Sequence, residues 1–173
     1  MAVDYFLKIE GIEGESEDDK HKNEIELSSF NWSELQSGSF AQGGGGGAGK
    51  VQMKNLEFAS PISKASPKLM LACATGQHIK DATLTCRKAG GGQQEFLKLI
   101  LSDVLVSKYE TTSQSTIVGT DGATEEGYSL GVPMDHVGLN FGKIQVEYRP
   151  QNADGSLGNP IKAGYDLKSN KSV

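Results

Sequence analysis

The chain has 173 residues, 22 of them glycine, few aromatics and a formal net charge of −5 at neutral pH. Such a length can bury a core without disulfide or metal staples, and the acidic balance excludes the basic stripe that a nucleic-acid surface needs. The N-terminal residues have no basic stretch leading into an apolar one, and no apolar run approaches the ~20 residues of a membrane helix, so the expectation is a protein made and folded in the cytoplasm without a signal peptide and without a membrane partner.

Residues 4–10 read as a first strand with Tyr5, Leu7 and Ile9 on one face. Residues 11–23 carry Glu13, Glu15, Glu17, Asp18 and Asp19 answered by Lys20, His21 and Lys22, which reads as a solvated turn. A second strand spans 24–35. Its alternation slips at Ser28-Ser29, the mark of a bulge; beyond the slip Phe30 and Trp32 face one way, Asn31 and Ser33 the other. Residues 36–50 contain Gln36, Ser37, Gly38 and Ser39, then the run Gly43, Gly44, Gly45, Gly46 and Gly47, and end at Lys50. No core can form there, and glycine makes the segment costly to order unless a neighbour holds it. A third strand, 51–59, is ended by Pro61.

The stretch 66–109 organises the rest. Ser66-Pro67 reads as a serine cap followed by proline at the first helical position. Strong helix formers follow, with no β-branched residue until Thr75, and Gly76 supplies a left-handed stop. Two strands come next, 81–88 and 95–109, joined through Ala89, Gly90, Gly91 and Gly92. In the second, Phe96, Ile100, Val104 and Val106 are assigned to one face and Leu97, Leu99, Leu101 and Leu105 to the other. A strand apolar on both faces needs a cover, and the helix is the obvious one. Residues 110–131 are polar, with 116–118 read as a short extension. In 135–141 Val137, Leu139 and Phe141 face inward; Gly142 offsets the register, and Ile144, Val146 and Tyr148 continue. Pro150 ends that strand, 152–155 is a turn, and 161–167 is the last strand. The pattern is mainly β: one domain over 1–173, an antiparallel two-sheet β-barrel with a single α-helix and long loops at about 36–50 and 110–134.

Two sequence matches suggest chemistry, and both fail on context. Gly44 to Lys50 has the form of a phosphate loop, but Val51 opens a strand where that loop needs Ser or Thr and a helix. Gly127-Tyr128-Ser129-Leu130-Gly131 has the form of a nucleophile elbow, but Gly131-Val132-Pro133 cannot open a long helix and Asp135-His136 are awkwardly adjacent for a relay. His21, His78 and His136 show no metal-ligand spacing. Cys73 and Cys86 read as small buried apolar side chains. No catalytic, cofactor or metal site is expected.

Several blocks, in order, resemble the haemolysin-coregulated (Hcp) family of type VI secretion tube proteins. They are the start Met1 to Ile9, Gly14-Glu15-Ser16, Gln36-Ser37-Gly38-Ser39, Gly43 to Lys50, Ser66-Pro67-Lys68-Leu69-Met70 with Ala72-Cys73, Arg87-Lys88-Ala89-Gly90-Gly91, Leu139-Asn140-Phe141 and Gln145-Val146-Glu147-Tyr148. The resemblance covers essentially the whole chain. It implies a two-sheet barrel with one helix and hexameric rings that stack into an exported tube. It also implies effector proteins in the lumen, a spike protein and a sheath as partners, export through the type VI apparatus, and neither enzymatic activity nor cofactor. On this view Gln36, Ser37, Gly38, Ser39, Gly43 to Gly47 and Lys50 make inter-subunit contacts, and Asn31 and Ser33 face the lumen. The alternative is a monomeric β-barrel that binds a small ligand in its interior.

Overall fold

A computed structural model describes residues 3–36, 50–88, 92–113, 115–117, 128–130 and 132–173. In chain order the elements are β1 (Val3–Ile9), β2 (Ile25–Leu27), β3 (Ser29–Asn31), β4 (Glu34–Gln36), β5 (Val51–Met53), β6 (Leu56–Pro61), α1 (Ser66–Thr75), β7 (His78–Lys88), β8 (Glu95–Thr112), β9 (Ser115–Ile117), β10 (Tyr128–Leu130), β11 (Met134–Tyr148), β12 (Ile161–Asp166) and β13 (Lys171–Ser172). Among the described residues the fold is mainly β, antiparallel throughout its pairings, with one helix, as the sequence pattern implies.

The strands close on themselves. β1 pairs with β7, β7 with β8, β8 with β11, β11 with β6 and β6 with β3. β2 pairs with the other edge of β1. Only Ser28 separates β2 from β3, and its amide donates to the Ala59 carbonyl at 2.8 Å. The slip in alternation at Ser28-Ser29 is therefore a change of partner and not a bulge: the chain leaves β1 there and joins β6, which closes the barrel. The expected second strand is accordingly three short strands, and the expected third is two, β5 and β6. β4 and β5 form a separate ribbon. β12 and β13 extend the sheet beyond the second half of β11.

Inward side chains fill the barrel. Leu7, Leu56, Leu84, Leu101, Leu139 and Val104 are completely buried. α1 packs over β8 and contributes Leu69 and Ala72, so the helix covers the apolar strand as expected. Its N-cap is Ala65, with no side-chain cap; Ser66 lies inside the first turn and its hydroxyl has other work, described below. At the other end Gly76 is left-handed, φ 63°, and the Gln77 amide donates to the Ala72 carbonyl at 3.1 Å.

Three long strands change their buried face at the same height. Ala82, Leu101 and Ile144 form one buried cross-strand row, and Ile79, Val104 and Phe141 form another, three positions away along each strand. An odd separation cannot keep one face of a regular strand. The change falls at Asp103, whose φ is 55°, and at Gly142, where a Cβ would stand 3.1 Å from the Asp103 Cβ. Gly142 thus offsets the register as the sequence indicates. The same turn-over corrects the faces assigned to β8: Leu99, Leu101, Val104 and Val106 all enter the core, and Leu105 is left 37% exposed.

Candidate functional site

Among the described residues the buried polar side chains gather in two clusters, and neither is laid out as a reaction centre. The first covers the outward face of β1 and β7. Phe6, on that face, is buried because residues 12–23 fold over it. The His21 ring stacks on the Phe6 ring at 4.2 Å between centroids, and the Arg87 guanidinium lies 4.7 Å from the ring centre. Arg87 bonds Asp18 at 2.7 Å and Asp4 at 3.1 Å. His21 lies 2.9 Å from Glu24 and 3.4 Å from Glu95. The Asp18 carboxyl is held below the usual carboxylate range chiefly by its hydrogen bond from Arg87. The reading of 11–23 as a solvated turn holds for Glu13, Glu15, Glu17, Asp19, Lys20 and Lys22, which are exposed, and fails for Asp18, half-buried, and His21, buried. Ser16 and His21 are buried, and the segment is pinned by Gly14 N–H to Asn23 O at 2.8 Å, Ser16 N–H to Glu24 O at 3.1 Å and Lys64 N–H to Glu15 Oε1 at 2.8 Å. Farther across the same face, Glu147 accepts from Lys162 at 3.0 Å and Arg149 at 3.2 Å. Lys162 is the main cause of its lowered pKa.

The second cluster sits under the start of α1. Asp135 is fully buried. Its Oδ2 accepts a hydrogen bond from the Ser66 hydroxyl, and its Oδ1 accepts from Tyr109 at 3.0 Å and Thr111 at 2.8 Å. The neighbouring His136 has no part in this set, so Asp135 serves as a joint between helix and sheet. Ser129 lies in β10, paired to Thr116 of β9; both elements are strands, which does not fit a nucleophile elbow. Among the described residues no group of His, Cys, Asp and Glu is placed to hold a metal ion, and no helix is long and apolar enough to cross a membrane.

What the described surface does offer is uncovered apolar structure at one edge. Ile161, at the start of β12, is 64% exposed, and Tyr148 beside it on β11 is 44% exposed. β12 pairs with β11 on one side, whereas β13 reaches only Tyr165 and Asp166 on the other, so Ile161, Lys162 and Ala163 have no strand partner there among the described residues. Between this edge and the β4–β5 ribbon runs a groove of about 540 Å³ lined by Trp32, Val51, Met53, Ile144, Val146 and Tyr165. The Trp32 Nε1 is buried without a hydrogen-bond partner among the described residues. The closed interior of the barrel is filled by its own side chains.

Of the residues singled out in the sequence, Asn31 and Ser33 are exposed, and Phe30 and Trp32 pack against the core. Gln36 ends β4 and is exposed; Lys50 precedes β5 and is exposed. Ser37, Gly38, Ser39 and Gly43 to Gly47 lie outside the described residues. Cys86 is buried and Cys73 half-buried, both as free thiols. The Phe6–His21–Arg87 stack escaped sequence reading because its members are far apart in the chain. The one available signal was Phe6 itself, an aromatic on the face opposite Tyr5 and Leu7.

A closed antiparallel barrel with one helix and an uncovered apolar edge defines a β-structural protein suited to being covered by another surface. Comparison with known proteins then places it. Residues 6–148 match the family model described as type VI secretion system effector, Hcp. The chain is 45% identical over 172 residues to protein hcp1 of Pseudomonas aeruginosa, covering 98% of each. The crystal structure of Hcp1 from Salmonella typhimurium is similar at 37% identity and a TM-score of 0.72 over the full length of both chains. A structure described as a type six secretion system protein superposes with a TM-score of 0.84 at 28% identity, over 99% of this chain and 100% of that one. The chain belongs to the Hcp family of the type VI secretion system, a family of secreted structural proteins and not of enzymes.

Proposed function

We propose that this chain is a subunit of the type VI secretion tube: six copies form a ring, rings stack head to tail, and effector proteins are carried or chaperoned in the lumen. The reading is carried by a family match that runs nearly end to end at 45% identity. It is supported by the exposed β12 edge, since an unpaired apolar edge is a liability unless a neighbour covers it. The other partners are the spike protein and the sheath, and the made protein leaves the bacterial cytoplasm through the secretion apparatus. Within the ring, Gln36, Ser37, Gly38, Ser39, Gly43 to Gly47 and Lys50 contact the adjacent subunit or ring, and Asn31 and Ser33 face the lumen.

Size-exclusion chromatography with light scattering, joined to negative-stain imaging, tests the assembly. Six-copy rings with a central hole are expected; a single subunit at high concentration overturns the reading. Deleting Gly43 to Gly47 is expected to weaken assembly while the monomer keeps its circular dichroism. Asn31→Gln is expected to alter effector retention without changing ring size.

A further inference from the structure

The two ends of the sheet carry opposite charge at the same height. Strand registers place Tyr5 in one row with Cys86, Leu97, Tyr148 and Ile161, and Phe6 in the next row with Thr85, Lys98, Glu147 and Lys162. The rows run on from Tyr5 to Leu27 and from Phe6 to Glu26 of β2, so the β1–β2 end and the β12 end lie five strand spacings apart, roughly 24 Å.

At the β1 end is a groove of about 380 Å³ with Val3, Tyr5 and Leu27 as apolar lining and Asp4, Glu17 and Glu26 as acidic lining. Glu17 and Glu26 are exposed and make no ion pair among the described residues. Arg87 also lines this groove. It is 95% buried, and its Nε has no hydrogen-bond acceptor among the described residues.

At the β12 end the chemistry is complementary. Ile161 presents an exposed apolar side chain, Lys162 and Arg149 present cations, and the backbone of residues 161–163 has an open edge. Both cations bond Glu147 within the chain. Each has further N–H donors with which to reach a second carboxylate.

We propose that the acid-lined groove at Val3–Phe6 receives the Ile161–Lys162 edge of a second copy. Ile161 packs on Val3 and Tyr5 at the mouth of the groove, and Lys162 and Arg149 face Asp4, Glu17 and Glu26. The contact joins unlike surfaces, so it propagates from copy to copy. Because the surfaces share the same rows, it adds rotation with little slip along the strands, which favours closure over a rising helix. This inference rests on the ring reading above and names the surfaces that make it.

The test is charge reversal with rescue, read by light scattering and negative stain at 50 mM and 500 mM NaCl. Ile161→Asp leaves the Glu147 ion pairs untouched. It is expected to weaken subunit association at least tenfold while melting and circular dichroism stay those of the parent. Glu17→Lys with Glu26→Lys is expected to do the same. Combining the double lysine variant with Lys162→Glu, which puts opposite charges across the contact again, is expected to restore rings. Raising salt is expected to weaken assembly of the parent and to weaken the rescued variant more. Rings that form normally in both reversed proteins would overturn the pairing of these surfaces while leaving the ring reading in place. Loss without rescue would also overturn the pairing. A parent chain that forms no rings overturns the ring reading itself.

Discussion

The Ser66 hydroxyl, in the first turn of the helix, donates to the buried Asp135 carboxylate at the start of β11, 69 positions along the chain. This bond ties the only described helix to the sheet through an acceptor in the interior, where a polar group left without a partner is expensive. Ser66→Ala is expected to cost about 1–3 kcal/mol of unfolding free energy, measured by urea denaturation. Tyr109→Phe removes a second donor to the same carboxylate. The double variant is expected to lose more than the two single losses added together, because Asp135 is then left with Thr111 alone.

Gly14 has no room for a side chain. A Cβ there would stand 2.3 Å from the Glu24 carbonyl oxygen, a backbone atom that the Ser16 amide already holds. Gly14→Ala is expected to destabilise the protein by about 1–3 kcal/mol, seen as a lower thermal midpoint. Local loosening of 12–23 is expected too, seen as faster amide exchange at Ser16 and Asn23.

Acid should unfold this protein through its paired carboxylates. Asp18 is held below its ordinary pKa chiefly by Arg87, and Glu147 chiefly by Lys162. A lowered folded pKa means stability that is present above the unfolded carboxylate range, about pH 4, and lost as pH falls through the folded values. The melting temperature is expected to hold between pH 7 and 5 and to drop below pH 4. Asp18→Asn is expected to melt lower at pH 7 and to show a shallower drop in acid.

The two thiols should differ sharply. Burial pushes the Cys86 thiol up to about 11, which keeps it protonated and unreactive at pH 8. Cys73 is half-buried on α1. A thiol-reactive dye at pH 8 is expected to label Cys73 in the native protein and to reach Cys86 only in denaturant. Rapid native labelling of Cys86 would contradict the packing described here.

Local signals in the sequence were legible where one residue decides the outcome. Gly76 stops the helix because only glycine takes that left-handed turn without strain. Ala82, Leu84 and Cys86 alternate with polar neighbours and are buried as that alternation requires, but Thr85 and Arg87 on the other face are buried as well, which a half-buried strand does not lead one to expect. The illegible parts are set by partners distant in the chain. Ser66-Pro67 has the composition of a cap, yet the serine hydroxyl is drawn to Asp135. The charged stretch 13–22 looks solvated until Phe6 and Arg87 arrive from two strands to be covered. The faces of β8 cannot be read past Asp103, because a left-handed aspartate looks like any other aspartate in one dimension. The edge at Ile161 is likewise invisible in sequence: exposure there follows from β13 being too short to shield it.

The turn-over shared by β7, β8 and β11 has a consequence for how relatives can diverge. A single-residue insertion or deletion in any one of these strands would rotate its apolar side chains outward on one side of Asp103 while the two flanking strands kept theirs inward. Length variation within these three strands is thereby closed off at their common height, and lineages can lengthen or shorten only through connections such as 11–24, 89–94 and 113–133.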